Sequence, residues 1–135
     1  LDSVLGVLTF AVGALGGISL LVGGVGIFTI MNIAVRERTA EVGLLRALGA
    51  TPQQVQLLFL GEAVVLAAAG GLFGLALGAG GAQLLGAAVP ALPVHTPVLF
   101  VVIAEATALA IGLVAGVMPA RQASRLEPVE ALRTE

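Results

Sequence analysis

Charge is what this sequence has least of. Only 10% of its 135 residues are Asp, Glu, Lys or Arg, while 59% are hydrophobic; an ordinary soluble domain carries about 25% charge. A chain this short exposes much of its surface when it folds, and six basic and eight acidic side chains cannot cover it. A water-soluble globular domain is therefore excluded. So is a disordered chain, whose signature is low hydropathy, because mean hydropathy here is +1.12. Lysine is absent, the six cations are all arginine, and the net charge is −2, which excludes a basic nucleic-acid binder. Cysteine is absent, so there is no disulfide framework and no thiolate metal site. Tyrosine and tryptophan are absent too, so the usual interfacial aromatic belt is missing and anchoring falls to arginine and to packing. What is left is a chain whose solvent is lipid.

The few charges are gathered in two places. Ser3 to Val35 is 33 residues without one; Arg36, Glu37, Arg38, Glu41 and Arg46 then follow within eleven positions. Residues 47 to 120 contain only Glu62 and Glu105, and the tail adds Arg121, Arg125, Glu127, Glu130, Arg133 and Glu135. A spanning helix needs about 20 apolar residues at ~1.5 Å each. The first run accommodates one span plus two or three extra turns, and the middle stretch two spans and a turn. The turn is marked by Pro90, Pro93 and Pro97, and Thr96 followed by Pro97 predicts a hydroxyl cap and a proline at the first helical position. The fold expected is all-α, with spans at 12–35, 56–87 and 97–118, a 36–55 connection, an 88–96 turn and a tail from 119 to 135. Three spans place the 36–55 segment and the tail on one side of the membrane. All six arginines lie there and none in 88–96, so that side is read as cytoplasmic and the amino end as outside. The sequence does not begin with Met and has no basic stretch ahead of its first apolar run, so that run is not read as a signal peptide. The chain is expected to be part of a longer protein.

Nineteen glycines are many for helices, where each costs about 1 kcal/mol relative to alanine. Several recur at helical spacing: Gly13 and Gly17; Gly70, Gly74 and Gly78; Gly112 and Gly116. Small residues four apart let backbones approach where no hydrophobic effect drives helices together. They predict a packed bundle, or a bundle that packs on further helices; glycine is also simply common in membrane helices.

The segment from Arg36 to Leu48 reads as a short amphipathic helix. Val42, Leu45 and Gly49 share one face with Leu48 beside it, and Arg38, Glu41 and Arg46 lie off that stripe. Arg38 and Glu41 are spaced to pair. Gly49 is a left-handed cap. Thr51, Pro52 and Gln54 open the next helix, with Thr51 and Gln54 forming a capping box. An interfacial helix lying on lipid is the alternative, but three cations and no lysine make a weak attraction for anionic headgroups. In the tail, Pro119 is expected to end or kink the third span, with two further turns from Ala120 to Leu126. Pro128 would open a last short helix through Arg133, and Arg121 and Arg125 would hold the helix end at the headgroups.

Three stretches stand out in order. The first is Val22-Gly23-Gly24-Val25-Gly26-Ile27 with Met31-Asn32-Ile33 and Arg36 to Gly43. The second is Arg46-Ala47-Leu48-Gly49-Ala50-Thr51, with Glu62-Ala63 and Gly70-Gly71. The third runs from Pro119 to Arg133. Together they resemble the FtsX/MacB-like permease family of ABC transporters, in its carboxy-terminal membrane domain. The resemblance implies a fourth span and a large extracytoplasmic domain ahead of residue 1, a second permease copy (identical or paralogous) and two ATPase subunits or domains, in a bacterial or archaeal inner membrane. It implies that the helix around Arg36–Ala50 is a coupling helix. Arg36, Glu37, Arg38, Glu41 and Arg46 would then give polar contacts to the ATPase, and Val42, Leu45 and Leu48 apolar ones. Gly49, Thr51 and Pro52 would fix the corner that passes motion to the second span.

No catalytic constellation is present. A phosphate loop needs lysine, so ATP and Mg would be bound by the partner ATPase and not by this chain. His95, the one histidine, reads as a loop residue, and no metal site is expected. Two acids fall inside spans. Glu62 matches a family glutamate and is placed near the cytoplasmic interface. Glu105 is placed near mid-bilayer, where a charge costs at least about 2.5–3.5 kcal/mol, and inherits no role. It reads as a proton or substrate site, or as a structural glutamate kept neutral by burial or bonded to a helix outside this chain. The leading expectation is a non-catalytic permease domain that couples a partner's ATP hydrolysis to export or to mechanical transmission. A proton-coupled carrier using Glu105 and Glu62 is one rival, against which the absence of an internal repeat speaks. A membrane anchor regulating an extracytoplasmic hydrolase is another.

Overall fold

The computed structural model describes residues 2–89, 95–127 and 129. These residues form four helices: α1 (Asp2–Glu37), α2 (Thr39–Ala47), α3 (Pro52–Ala88) and α4 (Val98–Ser124). Three of them, α1, α3 and α4, are long and apolar enough to cross a membrane, at the places the charge gaps predicted. At 36 and 37 residues, α1 and α3 extend to roughly 55 Å each, beyond a hydrocarbon core of about 30 Å. Helices this long form because nothing between their ends offers the backbone an alternative. The hydroxyls of Thr9, Ser19, Thr29 and Thr107 donate to the carbonyl one turn back, at 2.7–2.9 Å, which satisfies them without water.

Several boundaries differ from the sequence reading. The chain leaves α1 only at Arg38, whose φ of −100° and ψ of 19° break the helix; Arg36 and Glu37 therefore belong to α1, and the short helix begins at Thr39. Thr39 Oγ1 donates to the Val35 and Arg36 carbonyls at 3.0 and 2.9 Å, occupying acceptors that the break sets free. Pro97 is the N-cap of α4 and not its first helical residue. Its ψ of 134° is extended, no side chain caps this end, and Pro97 O accepts from Phe100 N instead. Pro119 does not end α4, which runs on to Ser124. Its ring is buried in the core, so packing offsets the backbone bond that proline cannot make. The helix expected to open at Pro128 and run through Arg133, and most of the expected 88–96 turn, lie outside the described residues.

Packing is uneven along the bundle. Met31, Val35, Val42, Val55, Phe59, Ala63, Ala120 and Ala123 form one buried cluster at the α2 end. Toward the other end α1 turns its side chains outward, with Val7, Phe10, Leu15 and Leu21 exposed, as suits a surface facing lipid. The most extensive helix pair is α3 on α4, then α1 on α4, whereas α1 and α3 scarcely touch.

The small-residue stripe of α4 explains the first pair. A Cβ at Gly112 would collide with Ala67 Cβ, and one at Gly116 with Ala63 Cβ. The α3–α4 seam therefore closes to backbone contact at two successive turns. The other stripes behave differently: a Cβ at Gly13, Gly17, Gly70, Gly74 or Gly78 would meet nothing within 4 Å. Gly70, Gly74 and Gly78 face Gly16 and Gly23 of α1 across an apolar groove of about 720 Å³. The packed bundle expected from all three stripes is thus realised within this chain by α4 alone.

Candidate coupling corner and intramembrane acids

The charged segment folds into a corner built from local rules. The Ala50 N–H donates to Leu45 O at 3.0 Å and the Gly49 N–H to Arg46 O at 3.1 Å, the paired bonds of a Schellman ending. Gly49 has φ +100°, which an L side chain adopts only at a cost of about 1–2 kcal/mol. Arg46 Nη1 donates to Ala50 O at 3.2 Å, adding a charged donor at the end of α2, where the helix dipole favours a cation. Two residues on, Thr51 Oγ1 accepts from Gln54 N at 3.2 Å while Gln54 Oε1 accepts from Thr51 N at 2.9 Å. This is the capping box read from the sequence, with Pro52 at its expected first position. A Cβ at Gly49 meets no neighbour, so Gly49→Ala tests conformation alone. Expected is a loss of about 1–2 kcal/mol, and of about 1 kcal/mol for Thr51→Ala, both read as lowered melting temperatures of the purified permease.

The stripe on α2 is split. Val42 is 2% exposed and packs in the cluster with Val55 and Phe59, so its apolar contact is to its own chain. Leu48, at 78%, and Leu44 and Leu45 face outward. The stripe is wide enough that one edge covers α3 while the other remains available. Arg36, Glu37 and Glu41 are exposed around it, as are Arg121 and Arg125. Pro128 and Arg133 of the tail motif lie outside the described residues.

Arg38 turns inward. Its Nη1 donates to Glu62 Oε1 at 2.6 Å and its Nε to Glu41 Oε2 at 2.9 Å. Its guanidinium carbon sits 5.4 Å from the centre of the Phe59 ring. The hydrogen bonds to Glu62 and then Glu41 hold its proton still more firmly than usual. The pairing with Glu41 follows from i, i+3 spacing. The pairing with Glu62 is not a local feature, and sequence reasoning missed it. One signal was present: Arg38 and Glu62 lie at equal sequence distance from the Gly49–Thr51 corner, so an antiparallel helical hairpin brings them level.

Glu105 stands alone. Its Oε2 is buried with no hydrogen-bond partner among the described residues, and its carboxyl occupies the space where a side chain at Gly71 would begin. It lies about 10 Å from the start of α4, nearer the Pro97 end than the middle of that 27-residue helix. Between it and Glu62 runs the closed Ala63/Ala67–Gly112/Gly116 seam, so the two acids are not brought together. His95 is exposed.

The sequence that builds this corner and these spans has known relatives. Residues 13–128 match the family model described as FtsX-like permease C-terminal. The chain is 43% identical over its whole length to an uncharacterized ABC transporter permease, YknZ of Bacillus subtilis, and covers 34% of it. It is 46% identical, over 95% of its length, to the macrolide export ATP-binding/permease protein MacB of Azoarcus sp.. To the pyoverdine export ATP-binding/permease protein PvdT of Pseudomonas savastanoi it is 47% identical over the same share. It spans 19% of each of these two, so it corresponds to about a third or less of the curated relatives it matches. A matched region that takes in α2, its corner and the three spans decides the assignment: this chain belongs to the FtsX-like permease family and is a multi-pass membrane protein.

Proposed function

We propose that this chain is the part of an ABC permease that receives motion from an ATPase and passes it across the membrane. The observation that carries this reading is α2. A nine-residue helix is too short to stand alone, yet it is fastened at both ends and presents Leu44, Leu45 and Leu48 outward among exposed charges. That is an apolar centre with a polar rim, the anatomy of a docking surface. The arginine-bearing side is cytoplasmic by the positive-inside rule, where an ATPase is available. ATP and Mg are bound by that partner. The relatives support the division of labour: MacB and PvdT are named for different cargoes, yet this chain is about equally similar to both. The shared membrane part then carries coupling, and cargo choice lies elsewhere in the longer protein. A second permease copy is the natural occupant of glycine faces left open within this chain. The proton-carrier reading is the weaker one, because Glu62 is engaged by Arg38 and the closed seam separates it from Glu105.

The test is co-purification of the ATPase with the full-length permease. Leu45→Asp with Leu48→Asp is expected to weaken binding about thirtyfold, the equivalent of losing a 2 kcal/mol hot spot, with the permease still folded. Unchanged binding would overturn the assignment of α2. Val42→Asp is expected instead to destabilise the permease itself, by placing a charge in the cluster at the α2 end, and is checked by its melting temperature.

A further inference from the structure

We propose that Arg38 is a positioning residue that clamps α2 to α3, so that motion of α2 enters the α3–α4 pair directly rather than through the Gly49–Pro52 corner alone. The idea rests on α2 being the receiving element. It starts from how loosely α2 would otherwise be held. No side chain caps its amino end, where Arg38 is the N-cap. Its backbone runs at a distance from α3, and the cluster holds it through Val42. The corner holds one end and the Thr39 hydroxyl ties the other to α1, so the freedom left is the tilt of α2 against α3.

Arg38 removes that freedom at three points. Nη1 reaches Glu62, Nε reaches Glu41 of α2 itself, and the planar group lies over Phe59. Glu62 and Phe59 are three residues apart on α3 and so share a face. A guanidinium makes two directed bonds in a fixed plane while it lies over the ring; a lysine ammonium is a point charge on a flexible stem. Each contact is individually modest, since both side chains of the Arg38–Glu62 pair are 36% exposed and such pairs add little stability. Their product is a fixed angle more than added stability. The level of attachment is informative too. Glu62 directly precedes Ala63, which meets Gly116 in the closed seam. A pull on Glu62 is therefore a pull on α3 and α4 together.

The experiment uses the full-length permease in lipid nanodiscs with its ATPase. This chain has no cysteine, so spin labels enter at Ala40→Cys in α2 and Val65→Cys in α3, both exposed positions. Without ATPase, the native Arg38 background is expected to give one narrow distance distribution, and Arg38→Gln and Arg38→Lys a markedly broader one. Glu62→Gln, which keeps an acceptor but loses the charge, is expected to fall between. With ATPase, the readout is divided by the ATP hydrolysed, so that any change in docking or turnover does not enter it. The ATP-driven change between labels at Leu15→Cys and Leu77→Cys is expected to fall at least about fivefold per ATP hydrolysed, the low end of a typical coupling energy. A distribution in Arg38→Gln as narrow as the native one, or full coupling in Arg38→Lys, would overturn the proposal. So would failure of Arg38→Lys to fold, which would make Arg38 a residue of stability. Because the α2–α3 distance is read without ATPase, the clamp can fail or stand separately from the docking of α2.

Discussion

Replacing Gly112 by leucine is expected to abolish accumulation of the folded permease. The position is buried, and even a single methyl there would collide with Ala67 Cβ and press on the Ala63 carbonyl at 3.3 Å. Overpacking a well-fitted core costs about 1–3 kcal/mol, and the obstacle here is an alanine Cβ fixed to its backbone, which cannot rotate away. In lipid there is also little to offset the loss, because close packing itself holds the helices together. Gly116→Leu is expected to behave alike, and Gly112→Ala to lower the melting temperature without preventing folding. Gly6→Ala and Gly61→Ala, outside the three stripes, are the controls. A Cβ at either is unopposed, so each is expected to be neutral or to stabilise its helix by up to about 1 kcal/mol. Size-exclusion profiles and melting curves of the full-length permease read all five. Tolerance of leucine at Gly112 would show that α3 and α4 do not meet where described.

Glu105→Met is expected to act in the opposite direction and raise stability. The buried Oε2 has no partner among the described residues, and removing an unmet polar group is worth about 1–3 kcal/mol. Gly71→Ala is expected to displace the Glu105 carboxyl at small cost, because its methyl meets only the far end of a flexible side chain, and a double-mutant cycle with Glu105→Ala isolates that coupling. ATP-driven motion should survive in Glu105→Met. A stable, well-folded Glu105→Met permease without it would show that the carboxyl is used in transport, whatever its cost in the membrane.

What was legible in the sequence was local. Gly49 and the Thr51–Gln54 box are written in residues three apart or fewer, and both formed as read. The three spans followed from where charge is missing, and the Arg38–Glu41 pair from helical spacing. What was not legible required knowing which helix faces which. The glycines at 112 and 116 signalled a close approach, but their counterparts, Ala63 and Ala67, are ordinary alanines in a chain full of them. The stripe Val42–Leu45–Leu48 is amphipathic either way round; only the fold decides that Val42 covers Phe59 while Leu48 is left outside. Pro97 missed its predicted place by one residue because its own backbone stayed extended. Pro119 did not stop its helix because burial of its ring outweighs one lost hydrogen bond.

The position of the closed seam along α3 sets a mechanical ratio. From Pro52 to Ala63 the helix extends about 17 Å, and from Ala67 to Ala88 about 32 Å. With Ala63 and Ala67 pressed against Gly116 and Gly112, the seam divides α3 into unequal arms. Under the proposed coupling, a tilt of the α3–α4 pair about that level would carry the far tip of α3 roughly twice as far as its near one. A small displacement at the corner beside α2 would then reach the other end as a stroke about two times larger and opposite in direction, at correspondingly reduced force.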